Sequence, residues 1–200
     1  MMRLRIVFAA LPVVVGLAAG CSTPPPSRFY TLAATATATS TSAPQPSTLV
    51  IAVGPVTVPS VVDRPEFVVS TGPNEVRLDD FNRWASPLQD GLSRAIAENL
   101  VAILGTPRVV RFPQTLATEP DYRVAVEVRT FESTPGKSTA LDAVWTVRRA
   151  KDGKTSTGRT SARESVSESG YDALAAAHSR AVARLSEDIA NATLALHGAR

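Results

Sequence analysis

Two stretches of the chain repeat apolar residues with the period of an α-helix. The first opens with a candidate capping box, in which Ser86 is the N-cap, Pro87 occupies the first turn and Gln89 closes the box. Gly105 and Pro107 end it. Its apolar stripe consists of Leu88, Leu92, Ile96, Leu100 and Ile103. A second, alanine-rich stripe predicts a C-terminal helix and consists of Tyr171, Leu174, His178, Ala181, Leu185, Ile189, Ala192 and Leu196.

Other stretches have the patterns of strands. Residues 49–53 form a continuous apolar run that resumes at 56–58, which predicts a strand covered on both faces. Residues 67–70 and 75–78 flank a turn-like Thr-Gly-Pro-Asn, and this predicts a hairpin. Apolar and polar residues then alternate in two further stretches, which predicts strands with one buried face and one solvent-facing side. Their predicted core positions are Tyr122, Val124, Val126 and Val128, and Leu141, Ala143, Trp145 and Val147.

One more strand is predicted after the turn Asp152-Gly153. Residues 155–166 are polar on both faces, so we expect this strand at an edge of the sheet or projecting from the body. The order of strands, helix, strands, helix then predicts an α+β fold. We expect a two-layer sandwich, with both helices on one face of a mostly antiparallel sheet. This domain is predicted to span residues 48–200, enough for one core.

The N-terminus has the layout of a bacterial signal peptide over residues 1–20. Arg3 and Arg5 precede the apolar run 6–15, which is too short to cross a bilayer as a helix. The signal ends in Ala-Ala-Gly-Cys, which resembles the lipobox of bacterial lipoproteins, with alanine at position 18 where leucine is favoured. This resemblance implies that the Cys21 thiol receives a diacylglyceryl group and that its amine is acylated after cleavage.

Acylated Cys21 would hold the protein on a membrane, because three acyl chains bind a bilayer almost permanently. Ser22 follows it, where an aspartate would retain a lipoprotein at the inner membrane, so we expect the periplasmic face of the outer membrane. The alternative is that Cys21 is a chance thiol in a signal cleaved elsewhere.

Residues 21–47 are predicted to be a lipidated, flexible tether, because Ser, Thr, Ala and Pro dominate them. A flexible chain of this length has a root-mean-square span of about 28 Å. Residues 28–32, Arg-Phe-Tyr-Thr-Leu, are an exception with strand propensity. They either add a short strand to the domain or to a neighbouring subunit, or lie unpaired in the coil.

Charge and chemistry exclude several function classes. Removing Arg3 and Arg5 leaves 19 Lys and Arg against 18 Asp and Glu, so the charge falls from +3 to +1 and no nucleic-acid partner is implied. The single cysteine excludes an intramolecular disulfide. No phosphate loop, zinc helix or nucleophile elbow is present, so we expect no cofactor, no metal site and no catalytic residues.

The remaining titratable groups do not form a convincing catalytic set. His178 and His197 are 19 residues apart on one predicted helix, about 28 Å, and cannot share a metal. The carboxylates Asp79-Asp80 precede a helix and indicate a turn, while Glu187-Asp188 lie on the wet side of the last helix. We therefore expect a protein that is not an enzyme.

Several motifs together resemble the PqiC/YmbA lipoproteins, which are auxiliary components of ABC-type transport systems. They are Cys21 and residues 29–32, 53–59, 61–68 and 83–88. The resemblance implies a non-catalytic, outer-membrane lipoprotein of an envelope lipid-transport system of MCE/Pqi type. Its partners would be an inner-membrane transport component and an MCE-domain tunnel protein. A homo-oligomeric ring of the lipoprotein would dock this tunnel protein to the outer membrane. The alternative function is a stand-alone periplasmic lipoprotein that assists assembly or stability of an outer-membrane protein.

Four residues of these motifs are candidate contacts with a subunit or partner: Asp63, Arg64, Pro65 and Trp84. For the first three, the alternative is a turn whose charges are solvated. For Trp84 it is packing on the first turn of the helix. The hairpin residues Arg148, Arg149, Lys151, Lys154, Arg159 and Arg163 fit anionic headgroups or an acidic partner, or else an edge protected by its charges.

Overall fold

The computed structural model describes residues 25–37, 48–112 and 119–199. Two helices and eight strands form an α+β fold, which confirms the predicted class. The elements are β1 (Arg28–Tyr30), β2 (Ile51–Thr57), β3 (Glu66–Gly72), β4 (Glu75–Trp84), α1 (Leu88–Leu104), β5 (Val109–Arg111), β6 (Tyr122–Thr134), β7 (Ser138–Arg149), β8 (Thr155–Ser165) and α2 (Tyr171–Gly198).

The strands form two sheets. The larger has the order β5-β2-β6-β7-β8, with β2 parallel to both neighbours and the last three strands antiparallel. Strand β8 lies at its edge, as predicted. The smaller has the order β1-β4-β3, in which β3 and β4 form the predicted hairpin and β1 is parallel to β4. The two sheets meet where β3 packs against β6.

The two helices cover the buried face of the five-stranded sheet and pack on each other. Helix α1 ends at the left-handed Gly105 (φ 64°), as predicted. The predicted capping box is wrong: the helix begins at Leu88, and its N-cap Pro87 has no side-chain hydrogen bond. The side chain of Gln89 is engaged elsewhere, because its Nε2 donates to Asp63 Oδ2 at 3.2 Å.

Small polar side chains line part of α2 in the core. Ser179, Ser186 and Thr193 recur every seven residues, are buried, and donate to the carbonyl four residues before them. Asn99 of α1 donates from Nδ2 to Ser186 Oγ at 3.3 Å. Because each hydroxyl is satisfied within its own helix, these residues are buried without the cost of an unpaired polar group.

The N-terminal part of the predicted tether belongs to the folded body, so the predicted boundary at residue 48 is wrong. Strand β1 pairs with β4, and Leu32 is buried with 1% of its surface exposed. Arg94 Nη2 donates to the Leu32 carbonyl at 2.6 Å. The backbone N–H groups of Ala33 and Ala36 donate to Ser179 Oγ and Asn99 Oδ1, each at 3.0 Å. The signal peptide, Cys21 and residues 38–47 lie outside the described residues.

Candidate functional site

The two histidines have separate structural environments. His178 is fully buried, its ring stacks on Phe131 with centroids 3.8 Å apart, and its Nε2 lies 2.8 Å from Ser133 Oγ. Burial lowers the pKa of His178 to about 3, so the ring is neutral at physiological pH. His197 is exposed, and its Nδ1 lies 3.2 Å from Tyr122 Oη. His178 is enclosed in the core, whereas His197 lines a surface pocket together with Tyr122, Asp121 and Arg149.

The acidic pair at 79–80 lies within β4, where the pairing of this strand with β3 is interrupted. Asp79 Oδ1 accepts from the backbone N–H of Phe81 and of Asn82, and Oδ2 accepts from Tyr171 Oη at 2.6 Å. Burial acts to raise the pKa of Asp79, but the hydrogen bonds from Tyr171 and Asn82 outweigh it and hold the pKa below its usual value. Asp79 is therefore a charged structural acceptor within a strand, rather than in the predicted turn, and Asp80 is exposed beside it.

The other pair, Glu187 and Asp188, is exposed on α2 as predicted, with Asp188 accepting from Thr160. Within residues 25–37, 48–112 and 119–199, no three His, Cys, Asp or Glu side chains lie close enough to share a metal ion. Over the same ranges, neither helix is both long and apolar enough to span a bilayer.

The Asp-Arg-Pro loop is fastened to two neighbouring elements. Asp63 is exposed and accepts from Gln89 at the start of α1, while the Pro65 carbonyl accepts from the Trp84 N–H at 2.8 Å. Arg64 between them is half-buried. These contacts fix the loop's position and leave the Asp63 and Pro65 side chains exposed on the surface.

Trp84, the fourth candidate contact, is part of the core. It is 7% exposed and stacks on Phe67 with ring centroids 4.4 Å apart. Phe131 adds an edge contact at 6.0 Å. The indole therefore packs between β3 and β6, and only this small exposed fraction of it is open to a partner.

Several basic residues of the β7–β8 hairpin are held by neighbours. Arg149 pairs with Asp152 at 2.7 Å and donates to carbonyls at the end of α2, including that of Ala199. The hydrogen bond from Arg149 lowers the pKa of Asp152 to about 2. Arg159 binds Asp142 through two nitrogens. These pairs match the interpretation of a charged, protected edge better than that of an anion-binding surface.

An apolar surface on the three-stranded sheet was missed by the sequence analysis. The rings of Tyr30 and Trp84 both contact Phe67 in the core, so these residues mark the inner face of the sheet. Successive residues of a strand point to opposite faces, so the residues that alternate with them point outward. Register then places Phe29, Val76 and Leu78 on this outer face, with exposures of 63%, 49% and 41%, and the Arg83–Glu66 ion pair lies on it beside Phe29. We call these three residues the outer face.

Inverted alternation explains why this surface was missed. In the sequence Glu-Val-Arg-Leu at 75–78, Val76 and Leu78 look like core positions. In the structure, Asp79 of the same strand bonds to Tyr171 at the inner side, and the two apolar residues point outward. Period-two patterning identifies the two faces of a strand but not which one is covered.

Comparisons with known proteins bear on the whole body. The family model of ABC-type transport auxiliary lipoprotein components matches residues 30–190. Comparison with curated proteins finds no match. The crystal structure of an uncharacterized protein is similar, with a TM-score of 0.67 and 20% identity, over 84% of this chain and 98% of that one. So is protein XCC0632 from Xanthomonas campestris, family model DUF330, with a TM-score of 0.67 and 19% identity, over 84% and 95%. At these identities the likeness shows a shared fold.

Proposed function

The chain belongs to the family of ABC-type transport auxiliary lipoprotein components, and we propose that it is a non-catalytic subunit of an envelope lipid-transport system of MCE/Pqi type. In this proposal, acylated Cys21 anchors it in the outer membrane, facing the periplasm. The folded body docks the periplasmic tunnel component there. The observation that carries the proposal is the family match, which covers nearly all of the described body from β1 to α2.

The residue chemistry of the body supports a docking role over catalysis. The family consists of transport auxiliary components and is not a known enzyme family. His178 is enclosed in an aromatic stack, and the carboxylate network at Asp79 lies within β4, where it binds Tyr171 and the backbone of its own strand. Such groups stabilise a rigid body that works by contact with other proteins.

The Asp-Arg-Pro loop is the proposed contact with a neighbouring subunit or with the MCE-domain protein. Asp63 is exposed and Gln89 holds it in place, so a partner would meet a preorganised carboxylate. A homo-oligomeric ring of such bodies, with an inner-membrane component at the other end of the tunnel, completes the proposed assembly.

Anchoring is tested first, with the full chain expressed in its bacterial envelope. We expect the mature protein to start at a triacylated Cys21 and to fractionate with outer membranes. Cys21→Ser is expected to give an unprocessed or soluble species. An unchanged N-terminal mass and unchanged fractionation in this variant would contradict the lipidation.

Docking is tested by affinity capture from detergent-solubilised membranes. We expect the acylated chain to capture an MCE-domain protein and to elute as an oligomer on sizing. Asp63→Lys should weaken capture, whereas Glu168→Lys, the same charge change at another exposed position, should not. A monomer that captures no MCE-domain protein would favour the alternative, a stand-alone lipoprotein that assists an outer-membrane protein.

A further inference from the structure

We infer that the outer face, Phe29 with Val76 and Leu78, lies against the lipid surface of the membrane that holds Cys21. This inference rests on the proposed lipidation and adds to it the orientation of the body. It is carried by two independent observations, the length of chain between Cys21 and β1 and the exposed apolar side chains beside that attachment point.

The link from the anchor to the body is short. Only residues 22–27 separate Cys21 from Arg28, the first residue of β1. Fully extended, the seven steps from Cys21 to Arg28 span at most about 25 Å. Had the tether run to residue 47, as its composition predicted, it would have reached about 90 Å.

A link of this length limits which side of the body can meet the bilayer. A compact domain of about 160 residues has a radius of gyration near 15 Å and is about 40 Å across. A chain of about 25 Å that leaves from β1 cannot pass around half of that circumference. The sheet that contains β1 is therefore held next to the lipid.

Exposed apolar side chains are concentrated at this end of the body. Eight large apolar side chains of the described residues are exposed, and four of them lie on β1 and β4. They are the outer face and Phe81, which is 40% exposed where the pairing of β4 with β3 is interrupted. The other four are scattered over other elements: Val61, Val101, Phe112 and Leu194.

The exposed area favours a lipid surface over a second copy of the chain. A fully exposed side chain of this kind offers about 150 to 200 Å², so the four expose roughly 350 Å². A stable protein interface needs about 800 Å² from each partner. An acyl anchor supplies most of the membrane affinity itself, so a small apolar area is enough to fix the orientation of an anchored body.

The test uses new single cysteines in the full acylated chain, since Cys21 is the only native cysteine and acylation blocks its thiol. Val76→Cys and Leu78→Cys report on the outer face. Ser161→Cys, exposed on β8 of the other sheet, is the matched control. Each is labelled with a nitrobenzoxadiazole dye and reconstituted in vesicles of phosphatidylethanolamine and phosphatidylglycerol, with or without a spin-labelled phospholipid as quencher.

We expect the dyes at 76 and 78 to emit at shorter wavelength and to lose roughly half of their emission to the lipid quencher, as a group buried 5–10 Å into the interface does. The dye at 161 should stay aqueous and unquenched. Outer-face dyes that remain aqueous on vesicle-bound protein overturn the inference and leave the anchor intact. A blue shift that depends on protein density and resists the lipid quencher overturns it in favour of a second copy. Protein that takes label at Cys21 and does not stay on vesicles overturns the anchor as well.

Discussion

Replacing Leu32 by alanine tests whether the N-terminal segment is part of the folded body. The Leu32 side chain is 1% exposed and belongs to the main hydrophobic cluster, although composition assigns it to a tether. Its carbonyl accepts from Arg94, which also binds Glu98. The side chain therefore fills space in the core while its backbone is held in place.

The expected loss is large for a residue so near the N-terminus. Leu→Ala changes at buried sites cost about 2–5 kcal/mol. Because the segment holding Leu32 can shift more easily than a central strand, we expect about 2–3 kcal/mol. For a domain of this size, each kcal/mol moves the melting temperature by about 2–4 °C, so the midpoint should fall by about 5–10 °C.

The assay is thermal and urea unfolding of the purified chain, followed by circular dichroism. Thr31→Ala, at the exposed neighbouring position, is the control and should change the free energy of unfolding by less than about 0.5 kcal/mol. Equal stability of the Leu32→Ala and Thr31→Ala variants would refute the packing of this segment and restore the tether interpretation.

Three further predictions concern the core. In Gly158→Ala, the new Cβ would lie 2.3 Å from Trp145 Cζ2, so urea unfolding should show a loss of about 1–3 kcal/mol or more; equal stability would contradict the close approach. In Tyr171→Phe, Asp79 loses a charge-assisted hydrogen bond, and we expect a loss of about 1.5–3 kcal/mol at pH 7 that shrinks as acid protonates the carboxylate; a loss independent of pH would point to packing instead. The pKa of His178 is about 3 in the folded protein and about 6.5 in the unfolded chain, so the free energy of unfolding should fall as the pH drops from 6.5 toward 3, by up to about 1.4 kcal/mol per pH unit. If urea titrations of His178→Phe show the same dependence of stability on pH as the unchanged protein, His178 is not the cause of that dependence.

The helices and most strands could be predicted because their burial repeats locally. The stripe from Leu88 to Leu100 and the alternation along Tyr122 to Val128 each encode one covered face within a few residues. The Asp152-Gly153 turn could be predicted in the same way, since a glycine at φ 73° closes it. The local sequence was sufficient to predict a strand and its turn where the strand pairs with the next strand along the chain.

The strand propensity of residues 28–32 left open a strand added to the domain, and β1 pairs with β4 in this way. The packing of residues 33–36 could not be predicted, because their partners are distant in sequence. Ala33 bonds to a serine 146 residues later, and Ala36 to an asparagine 63 residues later. Nothing in a run of Ser, Thr and Ala indicates those partners. A similar dependence on distant contacts places Trp84 in the core, where Phe131 covers it, and leaves Leu78 exposed.

The same distances set an order of events during biosynthesis. A chain is made from its N-terminus, so residues 28–37 are synthesised well before Ser179, which lies 146 residues after Ala33. Until α2 has been made, residues 28–37 lack part of the surface on which they pack and remain accessible. In the proposed lipoprotein, modification of Cys21 could therefore precede the packing of residues 28–37 against α2.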